Sequence, residues 1–332
     1  MDNKDGLICS YLLDNKGGGE EVTLGDMSSA DHLVWVHLDR AEALGKHWYE
    51  HIDLDPYVRI ALFESENMST ERWTKEGRPR CIAFEEGVII SLRGANLNPD
   101  SVASDMVGVR LWISPQKIVS VRRRHLMAID DIRTNLADGK GPRTPGEFVV
   151  MLTTRLLERM EPLLTEFRDQ IDDLEQSVIT DNTTELRGQT TNLHRDVIQW
   201  KRHIAPQRDA LKSLLETDVN WLNRHDRAQL NQLVHDTNRH VEDLDVVRER
   251  AIIIQNEISH RLTEQMNRSM YKLSFIAAVF LPLSFMTGLF GMNLTGPPFP
   301  EVDATLMFWL ACLGMFFIGG IAWLILRRFN SP

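Results

Sequence analysis

Residues 273–293 read LSFIAAVFLPLSFMTGLFGMN, and they contain no aspartate, glutamate, lysine or arginine. A second segment without these residues follows at 304–326. A membrane-spanning helix needs about 20 predominantly apolar residues to cross a hydrocarbon core of about 30 Å. We therefore predict two transmembrane helices, at 272–291 and 305–326, and these segments argue against a soluble enzyme.

The chain as a whole is acidic. Its 332 residues include 47 acidic and 37 basic side chains, which give a formal net charge of −10. Such a surface repels nucleic acid and attracts cations, so we expect no nucleic-acid partner. The cysteines Cys9, Cys81 and Cys312 form no C-x-x-C pair, which predicts a reducing compartment without a disulfide framework.

The composition of residues 1–145 predicts a cytoplasmic α/β domain. Short β-branched runs at 87–93, 106–113 and 117–121 are typical of strands. The spacing between residues 39 and 63 is helical, with an interruption at Pro56. A glycine- and proline-rich stretch, residues 138–146, then indicates a domain boundary.

Residues 146–271 predict a helical cytoplasmic stalk, because glycine and proline are rare and apolar residues recur at spacings of three and four. Polar breaks at 180–184 and 218–225 separate two antiparallel helices from a third helix that runs from about 226 to 290. The expected fold class is an α+β cytoplasmic domain followed by long stalk helices and an all-α membrane part.

Basic residues flank the two predicted spans on one side. They are Arg268 and Lys272 before the first span, and Arg327 and Arg328 after the second. By the positive-inside rule both termini face the cytoplasm, including a tail at 327–332. The connecting loop, 292–304, has no lysine or arginine and lies outside, where Glu301 and Asp303 would concentrate cations at an external mouth.

One face of the first span repeats every 3.5 residues. Its positions are Thr263, Asn267, Met270, Ser274, Ala277, Leu281, Ser284 and Gly288. A heptad seam faces neighbouring helices or a shared axis, and polar or small residues on a membrane helix suit a water-containing pore. Tight packing through the same small residues is an alternative that the spacing leaves open. Two spans cannot enclose an ion path, so transport requires oligomers.

The first span ends in Gly291-Met292-Asn293. The Asn293 amide offers a neutral oxygen, and a symmetric ring of such oxygens could hold a hydrated cation through its waters without trapping it. Taken alone, the same tripeptide also fits a plain helix end followed by an asparagine turn. On the first interpretation Gly291, Met292 and Asn293 form a selectivity motif.

A Gly-Met-Asn that ends the first of two C-terminal spans, after a long stalk helix and an acidic α/β domain, resembles the CorA family of divalent cation transporters. The resemblance covers essentially the whole chain. Five stretches are similar to the zinc-transporting ZntB branch of that family, namely 35–39, 78–80, 87–93, 125–131 and 205–209. Met292 departs from the valine or isoleucine that zinc members often carry there, and it matches magnesium members.

The resemblance implies a homopentamer in the cell inner membrane, in contact with membrane lipid. The first span of each subunit would line a central pore above a cytoplasmic funnel, and Asn293 would bind the ion through its hydration shell. The implied activity is uptake of divalent cations, with zinc favoured and a magnesium, cobalt or nickel channel as the alternative. It implies no cofactor and no enzymatic activity.

An energetic argument also favours uptake over export. The glycines at 17–19 lack the Gly-Lys-Ser/Thr ending of a phosphate-binding loop, and neither span carries an acidic residue or histidine to relay protons. Any proton coupling would therefore use groups outside the spans, and the sequence leaves such coupling open. A membrane-anchored enzyme or scaffold is the remote alternative, although an anchor has no need of a polar seam.

A second metal motif lies in the N-terminal domain. His47-Trp-Tyr-Glu-His51 fits the H-x-x-E-H pattern of zinc peptidases, but no matching third-ligand signature follows it. We interpret His47 and His51 as a candidate accessory zinc site. His260, in register with the pore seam, is a further candidate, whereas most of the histidines at 194, 203, 225, 235, 240 and 260 are expected on solvated helix faces.

Overall fold

The structure is a computed structural model of the 332-residue chain. It describes residues 6–23, 32–40, 52–64, 78–99, 101, 105–180 and 183–291, together with 309, 312–314, 316–321 and 324. The chain forms two compact units, residues 1–256 and 257–332. The first unit contains a β-sheet and a set of long helices, in agreement with the predicted α+β class.

A seven-stranded sheet lies in the described part of the first unit. Its strands are β1 (Leu7–Leu13), β2 (Gly19–Glu21), β3 (Leu33–Asp39), β4 (Arg80–Ala83), β5 (Val88–Gly94), β6 (Val107–Ile113) and β7 (Lys117–Arg122). Their order is β2-β1-β3-β7-β6-β5-β4, and only the pair β3 and β7 is parallel. Strands β5, β6 and β7 confirm the three runs predicted as strands.

Residues 312–314 and 316–321 are helical, and five further α-helices lie within the described residues up to 291. They are α1 (Pro56–Arg59), α2 (Met127–Ala137), α3 (Pro145–Thr180), α4 (Thr183–Glu216) and α5 (Arg224–Gly291). Helices α3, α4 and α5 confirm the predicted pair and the long third helix. Pro56 begins a helix, because Asp55 Oδ1 accepts the Tyr57 amide at 2.7 Å, and α1 continues into a π-helical turn at Ile60–Glu64.

One face of the sheet packs against α1 and its flanking residues. The buried apolar core there consists of Val34, Val36, Leu38, Ile52, Val58, Ala61, Leu62, Phe63, Ile89, Trp112, Val119 and Val121. β3 contributes only even-numbered residues to this core, because successive side chains of a strand point to opposite faces of the sheet. Each fully buried large aliphatic or aromatic side chain contributes about 1.5–3 kcal/mol, so this core fixes the register of the sheet.

The odd-numbered residues of β3 face α3 instead. The Trp35 ring meets Phe148 edge-on with 5.0 Å between ring centroids, and it stacks on Tyr11 at 5.7 Å. Its Nε1 donates to Ser120 Oγ of β7 at 2.8 Å. Trp35 thereby joins the parallel strands β3 and β7 and anchors α3 on the sheet.

His37 shares this buried hydroxyl. Its Nδ1 lies 2.7 Å from Ser120 Oγ, and Ser120 Oγ donates its proton to the Val36 carbonyl at 3.2 Å. His37 is fully buried, and this burial, together with the nearby Arg122 charge, lowers the pKa of His37 well below 6.5.

We predict that His37 makes the first unit less stable in mild acid. The unfolded chain binds a proton near pH 6.5 and the folded chain does not, so the free energy of unfolding should fall as the pH drops below about 6.5. The expected slope is about 1.4 kcal/mol per pH unit until the folded-state pKa is reached. Urea unfolding of residues 1–256 at pH 7.5 to 5 should show a smaller slope in His37→Gln; an unchanged slope would contradict the assignment. Exposed His235→Gln is the control for loss of a histidine.

Charged pairs fix the directions of the three long helices in the first unit. Arg250 of α5 contacts Asp172 and Glu175 of α3 at 2.6 Å, and Arg168 of α3 pairs with Asp243. Residue numbers rise together in these pairs, so α3 and α5 are parallel there. Further pairs, Lys201 with Asp245 and Arg208 with Asn238, run in opposite order and make α4 antiparallel to α5.

An aromatic contact joins α3 to α4. Trp200 is fully buried, and Phe167 meets it edge-on at 5.4 Å between ring centroids. Trp200 is therefore a packing residue of the helical part. Trp221 is also buried, at the connection between α4 and α5.

Arg227 closes the connection between α4 and α5. Its guanidinium donates to four carbonyl oxygens, those of Leu215 at 2.6 Å, Thr217 at 3.1 Å, Leu222 at 3.2 Å and Val219 at 3.4 Å. The last carbonyls of a helix have no intrahelical partner, and a cation at that end also interacts favourably with the helix dipole. One side chain at the start of α5 thus binds the carbonyl groups at the end of α4 and in the connection between the two helices.

We predict that Arg227→Ala destabilises the first unit by about 2–4 kcal/mol, because hydrogen bonds to a charged donor are lost and carbonyl groups are left unpaired. Arg227→Lys should cost less than the alanine variant, since an ammonium keeps the charge but cannot reproduce the planar fork. Urea unfolding of residues 1–256 checks both. Equal stability of parent and alanine variant would show that water replaces the guanidinium at no cost.

Among the residues that the structure describes, no helical stretch combines a membrane-crossing length with the apolar character that such a crossing demands.

Candidate functional site

The C-terminal part of α5 presents the predicted seam on one open face. All seam positions are exposed, namely Thr263, Asn267, Met270, Ser274, Ala277, Leu281, Ser284 and Gly288. The exposed fraction is 76% for Leu281 and 58% for Met270. The described residues therefore leave this seam open.

Other residues of the second unit also expose large apolar surfaces. Phe275, Val279 and Leu283 are half-buried at intervals of four, whereas Ile276, Phe280 and Phe285 are exposed. Towards the C-terminus Trp309, Leu313, Phe316, Phe317, Ile321 and Leu324 are exposed as well. Soluble monomers rarely expose contiguous apolar patches beyond a few hundred Å². This surface therefore indicates contact with lipid or with another protein.

The polar groups of the seam are neutral oxygen and nitrogen atoms. Thr263 Oγ1 donates to the Ser259 carbonyl at 2.9 Å, and Thr287 Oγ1, next to the seam, donates to the Ser284 carbonyl at 3.0 Å. Pro282 lies inside the helix and has no N–H, so the carbonyl four residues earlier lacks its usual intrahelical donor. Neutral oxygens of this kind suit a hydrated cation, because they bind its waters weakly enough to release it.

Charged residues flank the seam at its N-terminal end. Glu257 pairs with Arg261, and Glu264 pairs with Arg268, each at 2.7 Å and four residues apart. The hydrogen bond from Arg261 lowers the pKa of Glu257. His260 is exposed between these pairs. Within the described residues no group of three or more histidine, cysteine or acidic side chains could hold a metal ion.

His240 differs from the exposed histidines of the long helices, His225, His235 and His260. It is 3% exposed, and its Nε2 lies 2.8 Å from Glu161 Oε2 of α3. Arg168 also approaches Glu161, at 3.9 Å, and pairs with Asp243. The histidine faces inward because its position falls on the buried stripe of α5.

Two exposed apolar residues extend the seam towards the N-terminus. Val246 and Ile253 expose 54% and 66% of their surfaces and precede His260 and Asn267 at intervals of seven. The sequence reasoning missed them because it started the seam at Thr263. Continuing the seven-residue spacing backwards would have found both.

Several predicted site residues lie outside the described part of the chain. Gly291 is the last residue of α5, and the motif residues Met292 and Asn293 follow it. The external-mouth residues Glu301 and Asp303 and the histidine pair His47 and His51 also lie outside the description.

Four of the stretches singled out in the sequence make structural contacts in the first unit. The Arg93 amide, from 87–93, donates to Gln207 Oε1, from 205–209, at 2.6 Å. Asp131, from 125–131, accepts two hydrogen bonds from Arg159 at 2.7 and 2.8 Å. Together with Trp35 in β3, these residues join the sheet, α2, α3 and α4.

Comparison with known proteins agrees with this architecture. A family model described as "CorA-like Mg2+ transporter protein" matches residues 30–328. The chain belongs to the CorA family. This is a family of transporters, so the prediction that the chain is not an enzyme is confirmed and the peptidase reading of residues 47–51 is set aside.

Relatives within and around the CorA family match nearly the full length. The "Divalent cation transporter CmaX" of Pseudomonas aeruginosa is 35% identical, with 97% of this chain and 96% of the relative covered. The "Zinc transport protein ZntB" of Pectobacterium atrosepticum is 32% identical, covering 97% and 95%. The solved structure of full-length CmaX superposes with a TM-score of 0.79, at 32% identity and 99% coverage of both chains.

We predict that Leu281 is an apolar constriction of this CorA-family chain. A ring of exposed aliphatic side chains can close a narrow pore by dewetting, so Leu281→Ser should increase ion leak through the closed state. Ile276→Ser, which makes the same aliphatic-to-hydroxyl change off the seam, is the matched control. Conductance in planar bilayers measures both, and equal leak in the parent and Leu281→Ser would argue against a gate at this position.

Proposed function

We propose that this CorA-family chain is a homopentameric transporter that takes up divalent cations, zinc first among them, across the cell inner membrane. The observation that carries the proposal is the open seam of α5, where neutral polar residues alternate with apolar ones on a face that is exposed in the described part of the chain. Five copies around an axis would cover this face from both sides and leave its centre to the ion.

The membrane placement rests on sequence and exposure together. Residues 273–293 carry no charge, and exposed aromatic and aliphatic side chains surround the seam and continue to Leu324. Lipid is the solvent that removes the cost of such a surface. The spans at 272–291 and 305–326, with both termini in the cytoplasm, remain part of the proposal.

Zinc is supported by the relatives named ZntB, and magnesium by two other observations. The matching family model is described as a CorA-like Mg2+ transporter, and Met292 stands where zinc members often carry valine or isoleucine. A magnesium, cobalt or nickel channel is therefore the second candidate. The two differ in ligand chemistry, because Mg²⁺ keeps its waters whereas Zn²⁺ accepts imidazole readily.

The direction of transport follows from the charge of the ion. A divalent cation gains about 4.6 kcal/mol on entering an interior that is 100 mV negative. That energy corresponds to an accumulation of about a thousandfold or more, without nucleotide hydrolysis. Proton coupling would require groups outside the spans, with exposed His260 and the external carboxylates Glu301 and Asp303 as candidates.

We predict that Asn293→Ala abolishes uptake and leaves the oligomer intact. The amide is the proposed ligand for the hydrated ion, and alanine offers no oxygen in its place. The measurement is ⁶⁵Zn uptake into liposomes that contain purified protein, with an inside-negative potential, and size-exclusion chromatography for the oligomer. Full transport by this variant would remove Asn293 from the pathway.

The same liposomes show which ion is preferred and which gradient drives its uptake. Zinc uptake should exceed magnesium uptake at equal concentration, and the reverse order would favour the magnesium candidate. A pH gradient imposed without an electrical potential tests proton coupling. A coupled transporter would move zinc in response to that gradient. Net zinc efflux under an inside-negative potential, at equal zinc on both sides, would contradict the proposed direction.

A further inference from the structure

The start of α5 buries a carboxyl group against the first turn of α3. Asp226 is completely buried, and Oδ2 of its side chain lies 3.5 Å from Thr144 Oγ1, which is a long hydrogen bond. Among the described residues its other oxygen, Oδ1, has no hydrogen-bond partner. Aspartate is seldom fully buried unless it is paired, because an ionised carboxylate accepts several hydrogen bonds and is costly to remove from water. The charged form of Asp226 is therefore poorly accommodated in the folded chain.

A glycine makes this position of the carboxyl group possible. A Cβ atom at Gly146, in the first turn of α3, would lie 2.1 Å from Asp226 Oδ2, so only a residue without a side chain lets the carboxyl group come so close. Thr144 Oγ1 also accepts the amide of Glu147 at 3.1 Å and thereby caps α3. The Asp226 amide donates to Asn223 Oδ1 at 2.9 Å, which caps α5 in the same way. The carboxyl group thus lies where the two capped helix starts meet.

Opposing effects act on the charge of Asp226. His225 and the nearby Arg143 favour the ionised form, and so do the starts of α3 and α5. Arg143 is already paired with Glu147 at 2.7 Å, so much of its charge is taken up there. Burial and the Glu147 charge favour the protonated form. Burial has the largest effect, and as a result the pKa of Asp226 is raised above 3.8.

We propose that Asp226 forms a proton-dependent joint between the starts of α3 and α5, which is packed while the carboxyl group is protonated and weakened when the group ionises. A protonated carboxyl group has no charge to solvate, so it can stay in a site with a single long hydrogen bond. An ionised carboxylate would draw in water or separate the two helix starts to obtain partners. The ligand of this site is the proton.

The direction of the pH effect follows from the packed and open states of the joint. In an open or unfolded chain an aspartate ionises near pH 3.9, whereas the buried carboxyl group keeps its proton to a higher pH. The packed joint therefore binds more protons than the open one in this range, and it becomes easier to open as the pH rises. His37 has the opposite effect, because its burial destabilises the folded chain as the pH falls.

The joint lies in the first unit, and its test does not depend on which ion the chain transports. Helix α5 begins at this joint and also carries the exposed seam. Val246, the first residue of the extended seam, lies about 30 Å further along the helix, so the proton and the ion do not share a site. Proton binding at Asp226 therefore acts on the start of the helix that is proposed for ion passage.

The test is hydrogen–deuterium exchange of the full-length protein in detergent, measured by mass spectrometry from pH 5 to pH 8 for peptides from the starts of α3 and α5. Asp226→Asn keeps the shape of the protonated carboxyl group and cannot ionise. The chemical exchange rate changes with pH equally in both proteins, so the ratio of the parent rate to the variant rate reports the opening of the joint. We expect this ratio to rise about threefold or more between pH 5 and pH 8.

The matched control is Asp218→Asn, which makes the same change at an exposed aspartate in the connection before α5. The ratio of the parent rate to this control rate should stay within about twofold at every pH. A ratio for Asp226→Asn that does not change with pH would overturn the proposal, and so would a ratio that falls as the pH rises. If size-exclusion chromatography shows that Asp226→Asn is unfolded, Asp226→Ser, which is smaller and also cannot ionise, takes its place with the same expected result.

Discussion

The buried face of α5 repeats every seven residues, and the arrangement of the long helices depends on it. Two alternating sets form this face, Leu230, Thr237, Leu244, Ala251 and Ile258 with Leu233, His240, Val247 and Ile254. The exposed seam has the same repeat and lies on nearly the opposite side, since successive residues are about 100° apart around a helix. A seven-residue repeat drifts by about 20° per heptad on a straight helix, so two seams with this repeat drift together and stay opposed.

Two polar residues interrupt the buried face, and each makes one hydrogen-bonding contact there. Thr237 Oγ1 donates to the Leu233 carbonyl at 2.6 Å, and His240 meets Glu161 of α3 at 2.8 Å. A polar residue on an apolar seam disfavours neighbouring registers, because a shift by one turn would bury it without a partner. The ion pairs of Arg250 with Asp172 and Glu175, nearer the end of the first unit, also disfavour other registers of α5. Together they set the height at which α5 lies against α3.

Much of this architecture could be read from the sequence, and the reasons differ by region. The runs that became β5, β6 and β7 are β-branched and bounded by glycine, proline or asparagine, and the polar breaks before Thr183 and Arg224 separate strongly periodic helices. The single parallel pairing of β3 with β7 joins residues more than 80 positions apart, and no local signal specifies it. The exposed seam of α5 was predictable because its period lies within one helix.

The two opposed faces of α5 make its length more constrained than its composition. One extra residue would rotate the rest of the helix by about 100°. The apolar residues beyond the insertion would then no longer face α3 and α4, and the seam residues would no longer lie on the open face. An insertion of seven residues would restore both faces and lengthen the helix by about 10.5 Å. Natural variation in this helix should therefore occur as substitutions or in whole heptads, and alignments of related chains should place their gaps in the connections before Arg224 rather than inside α5.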